Sequence, residues 1–209
     1  MIVDPSTLDK DAAYRLMISA FIPRPIAFVS TRSRAGVTNC APFSYSMGVS
    51  SRPMALAVSI GSRGGKPKDS ARNILETKEF VVNVVTEELA EKMNIASGDW
   101  AEDVSEFVET GLTPVPSDLV GPPRIAESPV NFECRLLTTV SVGDNTVCFG
   151  EVVRLHVDDR VIANGRVDAR KLRAIGRLGG SQYCRTQDIF EMVRPKITGP
   201  KSALPTEIR

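Results

Sequence analysis

Short apolar runs recur along this chain, and long amphipathic stretches are few. "IAFVST" (26–31), "MALAVSI" (54–60) and "EFVVNVV" (79–85) join β-branched and aromatic residues over six or seven positions. Runs of that length and make-up predict strands, and the near-continuous apolar text of 54–60 predicts burial on both faces. "VNFECRLLTTVSV" and "NTVCFGEVVRLHVDD" flank "GDN", which predicts a hairpin. A further turn is expected at Asn164–Gly165, and "CAPFSYSMGVSS" reads as extended. Helical periodicity is weaker. Residues 7–20 predict a helix with Thr7 as N-cap and an apolar face of Tyr14, Leu16, Met17 and Phe21, ended by Pro23 and Pro25. "SARNILETK" predicts a short helix, and "TEELAEKMNIAS" an amphipathic one with Leu89, Met93 and Ile95. Residues 98–129, rich in Pro, Gly and acids, predict an excursion or lid rather than a linker. Strands without regular βαβ alternation predict a mainly β fold with α decoration, a barrel or a sandwich. The absence of G-x-G-x-x-G argues against a Rossmann domain.

Charge narrows the partners. The 209 residues carry 26 basic and 25 acidic side chains, a formal net charge of +1, so no whole-molecule field draws in nucleic acid or an anionic membrane. Any anion recognition must be local. Cys40, Cys134, Cys148 and Cys184 form no C-x-x-C pair and read as reduced thiols in a cytoplasmic protein, without a metal site. The N-terminal text lacks the basic and apolar regions of a signal peptide, and no run reaches transmembrane length. The one histidine, His156, lies in strand-like text and is expected to be structural. Triads and multi-histidine metal chemistry thereby lose their base or ligand. No catalytic acid–base residue is assigned.

One loop stands apart. "GSRGGKPKDSARNI" (61–74) is glycine-rich and cationic and feeds a helix start. It is not a P-loop, because Pro67 follows Lys66 where a hydroxyl residue is needed and the glycines are one residue too close. Two readings stand: a solvated loop before a helix capped by Asp69, or an anion cradle in which Arg63, Lys66 and Lys68 supply charge and the helix start supplies free N–H groups.

Taken with this loop, "PRPIAFVST…G…N.APFS.S", "KDS..NI..T.EFVVNVV" and "GRLGG..Y", in that order between Tyr14 and Tyr183, resemble the flavin reductase-like family. The resemblance implies the FMN-binding split β-barrel fold, as a single flavin reductase-like domain over residues 1–195 followed by a polar tail, 196–209. It implies FMN, in preference to FAD, at a homodimer interface, with NADH or NADPH as electron donor and neither nucleic acid nor membrane as partner. Asn39, Ala41, Ser44 and Ser46 would lie beside the isoalloxazine. Ser59, Arg63, Lys68 and Ser70 would hold the ribityl phosphate, and Tyr183 of the late motif with Arg177 and the glycines Gly179 and Gly180 would approach the ring. Trp100 reads equally as a substrate-pocket wall or a surface anchor. The function implied is an FMN-binding oxidoreductase passing hydride from a reduced nicotinamide to a second acceptor. The alternatives are a flavin-binding electron carrier without nicotinamide activity, or a barrel that has lost its cofactor.

Overall fold

Two residues, Ser44 and Tyr45, separate the strands at opposite edges of the main sheet. The computed structural model describes residues 1–196; the tail expected beyond them lies outside the described residues. The main strands are β1 (Ala27–Arg32), β2 (Thr38–Phe43), β3 (Ser46–Ser51), β4 (Met54–Arg63), β5 (Glu79–Val84), β6 (Val130–Val142) and β7 (Asn145–Val157). They pair antiparallel along the path β2–β1–β5–β6–β7–β4–β3. The path begins with β2 and ends with β3, yet the chain crosses between them in two residues. With about 3.8 Å between successive Cα atoms, Phe43 and Ser46 cannot be far apart, so the sheet curls until its edges approach. This is the split-barrel fold implied by the resemblance.

Strand periodicity builds two cores. Ala27 and Val29 of β1 point into the barrel with Phe43, Val58, Ile60, Phe80, Val82, Cys134 and Cys148. Phe28, between them, points outward and packs with Cys40, Val85, Leu89, Met93, Phe107 and Ile125. The outer core is covered by helix α3 (Ala90–Ala96), helix α4 (Glu106–Thr110) and the segment after it. Helix α2 (Asp69–Thr77) closes one side of the barrel with Ala71 and Ile74. Gly150 in β7 is required by packing, because a Cβ there would sit 2.3 Å from Cζ of Phe80. The hairpin expected at "GDN" joins β6 to β7, and Asn164 and Gly165 both take positive φ in a second tight turn.

Two expected helix caps are corrected. Helix α1 runs Lys10–Ala20, and its cap is Asp9, whose carboxylate accepts from the Ala12 N–H at 2.7 Å. Thr7 instead ends a 3₁₀ turn, Pro5–Thr7, capped by Asp4. The apolar face of α1 is not covered: Tyr14, Leu16, Met17 and Phe21 are exposed, and only Ile18 is buried. The N-cap of α2 is Lys68, with no side-chain hydrogen bond to the helix. Asp69 is the first helical residue, where a carboxylate suits the positive end of the dipole, and it pairs with Arg72 one turn on, at 2.8 Å. Within 98–129, α4 is followed by a two-residue ladder, Pro114–Val115 with Arg124–Ile125, packed on the barrel. Among the described residues no helix is long and apolar enough to cross a membrane.

Candidate functional site

A pocket of about 270 Å³ opens where β2, the β4 end and α2 meet the segment after α3. Four basic side chains line it: Arg63 from β4, Lys66 and Lys68 from the loop, and Arg72 from α2. The start of α2 faces the same space through Lys68, Asp69 and Ser70. The first N–H groups of a helix have no intrahelical acceptor, and Lys68 supplies no side chain to cap them. Asn39, Ala41, Pro42 and Phe43 of β2 form one wall. Ala96, Ser97, Gly98 and Trp100 form the other. Lys68 Nζ lies 6.0 Å from the centroid of the Phe43 ring. Arg63 is ion-paired to Asp99. Arg72 pairs with both Asp69 and Glu102, at 2.8 Å in each case. The pocket thus offers mixed polar and apolar walls together with cations and open N–H groups. That donor set fits a phosphate ester.

Behind the pocket lies a buried polar network. Asn39 Oδ1 accepts from Ser70 Oγ at 2.9 Å and from Thr31 Oγ1 at 3.2 Å, and Asn73 Nδ2 donates to Thr31 Oγ1 at 3.0 Å. Asn39 Nδ2 donates to Oε1 of Glu106 at 2.7 Å, and the Cys40 N–H donates to Oε2 at 3.2 Å. Ser70 therefore spends its hydroxyl proton inward, on Asn39. Asn73 Oδ1 is buried without a partner among the described residues. Glu106, only 6% exposed, lines the pocket. Burial raises its pKa to about 7, against the opposing pull of its own N–H, the Cys40 N–H and the Asn39 amide, while Asp69 pushes it further up. Sequence reasoning missed Glu106. The one available signal was its place before Phe107 in an otherwise polar excursion.

The expected site residues divide into two sets. Asn39, Ala41, Arg63, Lys68 and Ser70 converge on this pocket. Ser44, Ser46, Ser59 and Tyr183 do not line it within one chain. Ser44 Oγ accepts from Nε of the buried Arg24 at 3.3 Å; Arg24 also donates to the Ile18, Phe21 and Leu178 carbonyls. Ser59 Oγ accepts from Asn145 Nδ2 at 2.9 Å across the β4–β7 ladder. Ser46 borders a second, apolar groove of about 190 Å³ with Pro25, Met47, Leu56 and Phe132. Tyr183 lies under Arg177, whose guanidinium carbon is 4.4 Å from the ring centroid. Lys66 of the same cationic loop lines the pocket, as does Arg72, which the sequence did not single out.

His156 belongs to a separate cluster. Its Nε2 is 2.6 Å from Oε1 of Glu133, and Asp118 is near. Glu133 also accepts from the Asp118 N–H at 2.8 Å and the Leu119 N–H at 2.7 Å. These bonds fasten the excursion to β6, a structural task for the histidine.

The curled antiparallel sheet defines the class of fold, a split barrel, with a cationic pocket at its side. Comparison with known proteins gives the family. A model of the flavin reductase like domain matches residues 18–173. A protein of Aquifex aeolicus is 44% identical over 179 residues, covering 85% of this chain and 91% of its own length. Among solved structures, nitrilotriacetate monooxygenase component B from Bacillus cereus has a TM-score of 0.88 at 31% identity, covering 92% of this chain and 98% of its own. The 2-nitrobenzoate 2-nitroreductase of Pseudomonas fluorescens has a TM-score of 0.87 at 30% identity, covering 96% and 100%. The chain belongs to the flavin reductase-like family.

Proposed function

We propose that this protein is an FMN-dependent oxidoreductase that takes hydride equivalents from NADH or NADPH and delivers them to a second acceptor, as a cytoplasmic homodimer. The observation that carries the reading is the convergence of four basic side chains and the uncapped start of α2 on one pocket beside β2. The similarity to a nitroreductase and to a monooxygenase component supports redox work. FMN, when bound, would supply the two-electron carrier. The chain's own residues have the tasks of holding and screening it. Lys66, Lys68 and the N–H groups of α2 would hold the phosphate, with Arg63 exchanging Asp99 for it. Pro42 and Phe43 offer apolar surface to a flat ring, and Asn39 and Ala41 lie in the same wall. Hydride transfer needs no general base, which agrees with a lone histidine committed to Glu133.

A second copy of the chain is the partner this reading needs. At about 270 Å³ the pocket falls below the usual 300–1,000 Å³ of a site for a ligand of drug size. Exposed Tyr14, Met17 and Phe21 of α1 and Met47 and Val49 of β3 leave apolar surface that a twin chain would cover. The groove bordered by Ser46 belongs to that surface. The buried thiols of Cys40, Cys134 and Cys148 suit a reducing compartment.

The deciding experiment is the visible spectrum of the purified protein after incubation with FMN, before and after anaerobic NADH or NADPH. Retained flavin absorbance that bleaches with either nicotinamide is the expected result. A protein that takes up no FMN ends the reading, and retained FMN that no nicotinamide bleaches leaves a flavin-binding carrier in its place. Sedimentation at micromolar concentration checks the dimer.

A further inference from the structure

We infer that Glu106 is a positioning residue of the flavin pocket: it fixes the Asn39 side chain and the Cys40 amide in the pocket wall, and its carboxyl must carry a proton when an anionic ligand is seated. This rests on the reading of the pocket as the seat of the FMN phosphate.

The geometry comes first. Glu106 is the link between α4 and β2, because Oε1 takes the Asn39 amide and Oε2 the Cys40 N–H. Asn39 in turn takes the hydroxyl protons of Ser70 and Thr31. One carboxyl thus sets the orientation of the whole polar wall, from α4 through β2 to α2.

No cation of the pocket pairs directly with Glu106 among the described residues. From α2 come Asp69, of like sign, and Arg72, which is committed to Asp69 and Glu102. Lys68, at the start of α2, lies over the Phe43 ring. From β2 comes the Cys40 thiol, whose own ionisation is pushed up by burial and by Glu106. From the segment after α3 come Asp99 and Glu102, and from the β4 loop come Lys66 and Arg63, the latter paired with Asp99. None of the ion pairs among the described residues includes Glu106. Burial already holds the carboxyl near neutrality, at about 7. A phosphate dianion in the same pocket is one more negative charge, and it raises the cost of ionising Glu106 further. Binding and protonation are then linked, and affinity falls as pH rises above neutrality.

The test is the FMN dissociation constant between pH 6.5 and 8.5 for the wild type and Glu106→Gln. The amide cannot ionise and keeps one of the two acceptor oxygens; like the protonated carboxyl, it turns a donor toward the Asn39 amide or the Cys40 N–H, and so stands in for the neutral form. FMN's own second phosphate ionisation, near pH 6, affects both proteins alike. The expected result is a wild-type affinity that weakens several-fold across this range, bounded at about tenfold per pH unit for one proton, against a flat profile for Glu106→Gln. With riboflavin, which lacks the phosphate, the two proteins should run parallel. A measurement without any variant complements this: calorimetry of wild-type FMN binding at pH 8 in buffers of different ionisation enthalpy should show net proton uptake. Tight FMN binding with parallel pH profiles, or no proton uptake at pH 8, overturns the role of Glu106 alone. A wild type that binds no FMN at any pH overturns the pocket reading, and this inference with it.

Discussion

Glu106 and Glu133 are both glutamates withdrawn from water, and they titrate in opposite directions. Burial raises both. At Glu133 it is outweighed by the Asp118 N–H, the His156 ring and the Leu119 N–H, so its pKa is lowered from the usual 4.5. At Glu106 one amide side chain, the Cys40 N–H and its own N–H do not suffice, and its pKa is raised to about 7. The difference separates two uses of buried polarity. Glu133 lies under a segment tied down elsewhere as well: Ser30 bonds to the Pro123 carbonyl, and Asn83 accepts from the Ile125 N–H and the Asn131 amide. That network is closed and structural. The Glu106 network is open on one side: it ends at a pocket, through Asn39, Ser70 and Glu106.

The comparison can be broken at several points. The largest effect is expected from the two substitutions taken together at the cationic end of the pocket. Arg63→Ala and Lys68→Ala should each weaken FMN binding by about 2–5 kcal/mol if both reach a desolvated phosphate, with little loss of fold stability. Equilibrium dialysis alongside a melting curve checks both halves of that statement. Next comes Glu133→Ala, which strands two N–H groups and a histidine and should cost about 3–5 kcal/mol in urea unfolding. FMN affinity per folded molecule should barely change, because Glu133 does not line the pocket.

The pH dependence separates the two carboxyls by sign. Glu133 has a lowered pKa, so its contribution is present above its usual 4.5 and is lost as pH falls through the folded value. Wild type should therefore lose stability on the acid side, and Glu133→Gln should lose less there. Glu106 has a raised pKa, so its burden is absent below 4.5 and grows as pH climbs to about 7. Glu106→Gln should be the more stable protein above neutrality by about 1–3 kcal/mol, reduced from the full shift because the carboxyl borders the pocket. The two proteins should coincide near pH 4; unfolding free energies at pH 4, 6 and 8 decide it. The smallest effect belongs to the exposed Arg63–Asp99 pair. Asp99→Asn should change unfolding by less than about 1 kcal/mol.

Much of the barrel was legible because β1, β4 and β5 are short apolar runs, buried on both faces in β1 and β5, and because "GDN" and Asn164–Gly165 carry their own turn chemistry. Charge and glycine marked the loop of Arg63 and Lys68 but left it open between a solvated loop and an anion cradle; the family motifs were needed to choose. Glu133 could not be weighed in the same way. In 130–134 the alternate residues Asn131 and Glu133 look like a solvent face, but the 98–129 segment covers them, and both are buried. Glu106 sits in a five-residue helix, too short to show a period. The apolar residues of α1 were visible as a stripe, yet periodicity says only that a face is apolar, not what covers it. The caps went astray by one or two residues, where Asp9 and Lys68 rather than Thr7 and Asp69 hold the extended backbone before each helix.

Trp100 gives this chain a built-in lamp. It is the sole tryptophan, anchored to the Ile95 carbonyl at 3.1 Å and set in the wall of the pocket. Indole emits in the near ultraviolet, where a flavin absorbs, so a flavin seated in that pocket would darken its fluorescence by energy transfer. Occupancy could then be followed optically in the unlabelled protein, variant by variant, from a single emitter.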